Sequence, residues 1–113
     1  MGYRLVVSKE IEFEVRFSLR DGAGEKEFGF RAVAVRTEPA ANLKVTVGEY
    51  LEQHCALRMV SWIGEAPIEK DDGGKPEAGA EALAALYALI PTLPGLVLGA
   101  YTEAAGPKAK LGN

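Results

Sequence analysis

Between Ile11 and Leu19 the chain reads IEFEVRFSL, and apolar and polar side chains alternate there without exception. In an extended chain, successive side chains point to opposite faces, so Ile11, Phe13, Val15, Phe17 and Leu19 share one side. Glu12, Glu14, Arg16 and Ser18 share the other. A helix would scatter the five apolar residues around its circumference, so the stretch reads as a strand with one buried and one wet face. RDGAGEKE follows, and its Asp21-Gly22 and Gly24 supply hairpin-turn chemistry. FGFRAVAVRT then resumes the alternation, with Phe28, Phe30, Ala32 and Ala34 on one face and Val33 and Val35 on the other. Either a bulge flips the phase or both faces are covered. Coverage of both faces is the expectation, because the helices need a surface to pack on. A further short element is expected near Tyr3 to Val7.

The rest of the chain changes period. TEPAANLK breaks the strand pattern through Pro39 and Asn42. Thr46 followed by Glu49 is a capping-box pattern that opens a helix. Tyr50, Leu51, His54, Cys55, Arg58 and Met59 then recur at helical spacing, which predicts a helix from about Val47 to Val60. IGEAPIEKDDGGKPEAG, rich in Gly, Pro and charge, reads as a long surface loop. Leu83, Leu86, Tyr87 and Ile90 mark one stripe of a second helix, ended by Pro91. Pro94 suits the first turn of a third helix, which runs to about Ala105 and stops at Gly106-Pro107. KAKLGN is expected to fray. The reading is an α+β fold: an N-terminal antiparallel β-hairpin or small sheet followed by about three α-helices. With 113 residues the chain is expected to be one domain over 1–113, since two cores would each be too small. Its β-hairpin region is 1–37, its helical region 46–106 and its flexible tail 107–113.

Composition and motifs exclude more functions than they suggest. A formal net charge of −3, with basic residues scattered among acids, gives no footprint for nucleic acid. Cys55 is the sole cysteine and can form no intramolecular disulfide, which fits a reducing cytoplasm. The start, MGYRLVVSKEIE, lacks the long apolar region of a secretory signal, and its Leu5 and Val6 do not fit a myristoylation motif. His54 and Cys55 are adjacent, so on a helix they point about 100° apart and cannot pair as base and nucleophile. Zinc needs more His and Cys than the chain has. Glu10, Glu12 and Glu14 read as the solvated face of a strand. EKDDGGKPE fails as a phosphate loop, with Glu69 and Pro76 at the deciding places, and its consecutive Asp71 and Asp72 do not space as calcium ligands. No enzyme, metal or cofactor is expected.

One long stretch remains: ALAALYALIPTLPGLVLGAYT, residues 82–102, carries no charge. About 20 apolar residues can cross a bilayer. Pro91 and Pro94 in its middle would strand backbone groups that lipid cannot satisfy, and acidic Glu81 and Glu103 flank it instead of basic anchors. It therefore reads as a helix–Pro turn–helix hairpin, not as a membrane span. Apolar surface left over after packing would serve protein binding or self-association. Trp62, Tyr87, Ile90, Leu96 and Tyr101 are the candidates for contact or core roles, Trp and Tyr being frequent interface anchors.

The C-terminal part, residues 46–113, resembles the small tail assembly chaperones of tailed bacteriophages. The shared features are SWIGEAP around Trp62 and Gly64, a turn from Asp71 to Pro76, a Leu/Ala-rich helix and a Pro-marked break. A helix ending near Ala100-Tyr101 and a short tail with Lys and Asn complete them. Ile63 between Trp62 and Gly64, and Gly79 where a Ser or Thr cap would fit, depart from the pattern. The resemblance implies a non-enzymatic protein of the host cell cytoplasm that binds apolar helical stretches of a tape-measure protein. It also implies contact with tail-tube subunits, and it assigns no individual binding residue. The alternative it leaves is a small self-associating structural tail component, such as a tail-completion or tube-associated subunit.

Overall fold

The alternating stretch forms strand β1 (Glu10–Asp21) and returns as β2 (Gly24–Val35) in the computed structural model, which describes residues 2–37 and 44–109. Gly22, at φ 63°, is the first of two loop residues, the place that a type II′ hairpin turn gives to glycine. The antiparallel register sets Phe13 opposite Ala32, Val15 opposite Phe30 and Phe17 opposite Phe28. The apolar sides of both strands therefore coincide. The chain is α+β, with a three-stranded antiparallel sheet in the order β1-β2-β3 and three helices.

The helix expected from Val47 to Val60 is two elements. Helix α1 (Val47–Gln53) starts as foreseen, with Thr46 Oγ1 accepting from the Glu49 N–H at 3.1 Å. It ends early: the N–H groups of His54 and Cys55 both donate to Tyr50 O, and Ala56 then turns left-handed at φ 48°. Cys55 O accepts from the Val35 N–H at 2.7 Å, which pins the reversal against β2. Residues Arg58–Ile63 leave as β3, paired to β2. Leu51, Cys55 and Met59, four apart, are all buried, and an interval of four fits an even step along a strand as well as a helical turn. Ala32 faces Met59 while Arg31 faces Ser61, so Val60 is one residue too many. A bulge moves the following side chain to the opposite face. Met59 and Trp62, three apart, thus both turn toward the core, as they would on a helix.

Two other expectations change. The helices cover one face of the sheet, not both: Leu51, Leu86, Leu93 and Val97 pack with Val15, Phe30 and Ala32 in a single cluster. Val33, on the opposite face, is only 4% exposed, between Glu12 opposite it on β1 and Arg58 on β3. Ion pairs surround it there, Arg31–Glu14 at 3.6 Å and Arg58–Glu10 at 3.7 Å. The segment Tyr3–Val7 forms no strand, and Tyr3 and Val6 are fully exposed. The break at Pro39 and Asn42 and the tail end from Lys110 lie outside the described residues.

Helix α2 (Ala80–Leu89) and helix α3 (Leu93–Ala105) form the foreseen hairpin, with Pro94 in the first turn of α3. Arg36 links α3 to the start of β1: its guanidinium donates to Ala105 O at the helix end and to Ser8 O. A cation at a helix C-terminus satisfies an orphan carbonyl and complements the dipole. The radius of gyration, 16.0 Å, exceeds the roughly 13 Å of a compact chain this long. The hairpin overhangs the third strand, since β3 pairs only with Gly29–Val33 and Phe17, Leu19 and Phe28 lie beyond its reach.

The reversal at Ala56 makes a test that separates the two readings of residues 54–60. Ala56→Gly removes a left-handed strain of about 1–2 kcal/mol at some entropic cost, and should raise the melting temperature; Ala56→Val should lower it. A continuous helix would show the reverse for glycine, which costs about 1 kcal/mol in a helix interior.

Candidate protein-binding site

The charge-free run builds both arms of the α2–α3 hairpin, and its inward stripe is the core. Ala82, Leu83 and Leu86 of α2 and Leu93, Val97 and Tyr101 of α3 are buried. The turn is short: Ile90 N–H closes on Leu86 O at 2.7 Å, and Leu93 N–H donates to Ile90 O at 2.9 Å. Ile90 is half-buried. Leu89 and Leu96, each within one helical turn of the bend, are 68% and 51% exposed, and Pro91 is exposed between them. The bend of the hairpin is thus an apolar end with no charge in its sequence.

The five sequence candidates divide. Tyr101 belongs to the core: its hydroxyl donates to Val35 O at 3.0 Å and accepts from the Thr37 N–H at 3.3 Å. Its ring meets Phe13 edge-on at 6.1 Å. Burial, and next the Cys55 side chain, push its pKa up. Trp62 is half-buried opposite Phe30, and its indole N–H donates to Pro76 O at 3.0 Å. That bond ties the Trp-Ile-Gly segment to the end of the Asp71–Pro76 turn. The turn itself is closed by Lys70–Gly74 backbone bonds and by Asp72, which accepts from the Gly74 N–H. Two separate sequence features are therefore one structural unit.

Tyr87 is intermediate. Its ring packs against Gly48 of α1 and lines, with Glu52, Leu57, Met59 and Leu83, a groove of about 170 Å³ between α1, β3 and α2. Its hydroxyl is buried without a hydrogen-bond partner. Burial first, and the Glu52 carboxylate second, push its pKa up to about 12. Only Ile90 and Leu96 of the five stand at the bend. Leu89 was missed, although it lies off the Leu83, Leu86, Tyr87, Ile90 stripe and the same periodicity turns it outward.

His54 is exposed and stacked on Tyr50 at 5.6 Å, whereas Cys55 is buried. Among the described residues no three His, Cys, Asp or Glu side chains gather to hold a metal. No helix among them is long and apolar enough to cross a membrane. No family model, curated protein or solved structure matches the chain.

The two tyrosines should behave oppositely when the hydroxyl is removed. Tyr101→Phe leaves Val35 O and Thr37 N–H without their partner and should cost about 1–3 kcal/mol in urea unfolding at pH 7. Tyr87→Phe removes an unpartnered buried group and should be neutral or stabilising. The folded pKa of Tyr87 lies above its ordinary value of 10.0, so the native state binds that proton more tightly than the unfolded chain. Its contribution is whole below pH 10 and is lost as the pH rises through about 12. The Tyr87→Phe protein should accordingly show a flatter stability profile between pH 10 and pH 12, measured by chemical unfolding at each pH.

Proposed function

We propose that this protein is a non-enzymatic tail assembly chaperone-like protein of a tailed bacteriophage, acting in the host cytoplasm. It holds apolar helical segments of a tape-measure protein while the tail forms. The observation that carries the reading is the exposed apolar bend of the α2–α3 hairpin, Leu89, Pro91 and Leu96, inside a run of sequence without charge. The Trp62–Pro76 hydrogen bond supports it further, because it gives the resemblance a structural reason: the motif residues hold one loop against the sheet.

Recognition of this kind lays an amphipathic helix against an apolar surface. Burying each exposed leucine yields roughly 1.5–3 kcal/mol, reduced by the cost of association. One such patch is therefore a weak site. Many chaperones along one long tape-measure protein suit weak, reversible sites, since the complex must come apart when tube subunits take their place.

Co-expression with a tape-measure protein from the same phage, followed by affinity purification, should recover both chains. Leu89→Glu together with Leu96→Glu should weaken that binding by about tenfold or more while leaving the circular dichroism spectrum unchanged. Failure to co-purify when both chains are soluble removes the proposal. A tube-associated structural subunit, the other role, would instead be isolated as a stable ring of many copies.

A further inference from the structure

The two edges of the sheet are unlike. β3 is six residues long and bulged at Val60, which blunts an edge against pairing. β1 is twelve residues long and unbulged, and among the described residues no strand pairs with its outer side. Arg36 N–H donates to Lys9 O at 2.6 Å, one step beyond the Glu10–Val35 pair. Hydrogen-bonded and non-bonded pairs alternate along an antiparallel ladder. The odd-numbered residues of β1 therefore bond to β2, and Glu12, Glu14, Arg16, Ser18 and Arg20 present their N–H and C=O groups to the free edge, with Glu10 at its end, where its N–H donates to Ser8 Oγ. Along that edge the charges are segregated, three acids and then Arg16 and Arg20.

We infer that the outer edge of β1 pairs with β1 of a second copy, antiparallel about a two-fold axis at Val15, to give one six-stranded sheet. Three neighbouring registers satisfy the hydrogen-bond alternation, and charge selects among them. Centring on Val15 sets Glu14 against Arg16, Glu12 against Ser18 and Glu10 against Arg20, each twice. A shift of one pair to either side sets Glu14 against Glu14 or Arg16 against Arg16, and like charges directly opposite are destabilising. The other face agrees: Phe13 meets Phe17 of the second copy, and Ile11 meets Leu19. Phe17 and Leu19 lie beyond β3 in the single chain and are only half-buried. Open space of about 400 Å³ lies beside the edge, between Glu12, Phe13 and Glu14 of β1 and Ala100, Glu103, Ala104 and Lys108, and leaves room for a second strand there. The Glu14 and Arg16 side chains are partly exposed and already 3.1 Å apart within one strand, so they exchange partners without being drawn from a core. A contact of this symmetry closes at two copies and builds no ring.

Sedimentation velocity or light scattering over a concentration series should find a dimer. Glu14→Lys and Arg16→Glu, each alone, should raise its dissociation constant about tenfold or more, because each sets like charges opposite twice. An equimolar mixture of the two variants restores both opposite-charge pairs and should recover a heterodimer with wild-type affinity. If either charge variant fails to fold, Glu12→Cys and Ser18→Cys carry the test. Directly opposite residues of a bonded pair lie about 5.5 Å apart between Cα atoms, within disulfide reach. The oxidised mixture should then cross-link far more than either variant alone. A monomer at every soluble concentration, a dimer indifferent to these charges, or cross-linking that is equal in mixed and separate samples would overturn the assignment.

Discussion

Phe30 sits in the middle strand with Val15 opposite it on one side and Trp62 on the other, and it is completely buried. Leu51, Leu86, Leu93 and Val97, one or two from each helix, close over that row. Three short helices supply enough apolar surface for one face of a three-stranded sheet and no more. The opposite face is left to ion pairs and to Val33 beneath them. The hairpin, twice as long as β3, projects past the cover. One-sided packing therefore decides which surfaces of this protein remain free.

The parts of the fold that were legible are those where local chemistry and tertiary packing agree. IEFEVRFSL is extended by its period and is half-buried because the helices need an apolar face. Thr46 caps a helix by its own hydroxyl, and Pro91 and Pro94 divide the charge-free run wherever it packs. The boundary at Ala56 was not legible. Alanine favours helix, and the left-handed turn there is held by the Leu57 N–H bond to Leu51 O together with the Val35–Cys55 hydrogen bond and the pairing of β3. Leu51, Cys55 and Met59 then keep a helical interval of four across the turn and into β3. Both elements also depend on a partner strand, with Val35 twenty residues upstream of Cys55 and Ala32 twenty-seven upstream of Met59, which no local pattern records.

For the candidate site, residue type was a poor guide and position a better one. Tyr101 and Trp62 were chosen as aromatic anchors, yet each spends its polar atom on the backbone of its own chain: Tyr101 on Val35 and Trp62 on Pro76. Such bonds fix a ring inward. Leu89 and Leu96 have no polar group to satisfy and face out from the two arms of a tight bend. The surface that suits a partner helix is thus aliphatic, at one end of the molecule, while the charged strand edge suits a copy of the same chain. Aliphatic and charged recognition occupy different elements, so a dimer need not compete with a chaperone's client.

The central claim is that the bend of the α2–α3 hairpin receives an apolar helix. An NMR titration of the isotopically labelled protein with a synthetic amphipathic segment of a tape-measure protein tests it most directly. The account predicts that amide shifts cluster at Leu89, Ile90, Leu96 and their neighbours, while Glu12, Arg31 and Arg58 on the open sheet face stay in place. Shifts confined to the sheet face, or a saturating segment that moves no resonance at the bend, would contradict it.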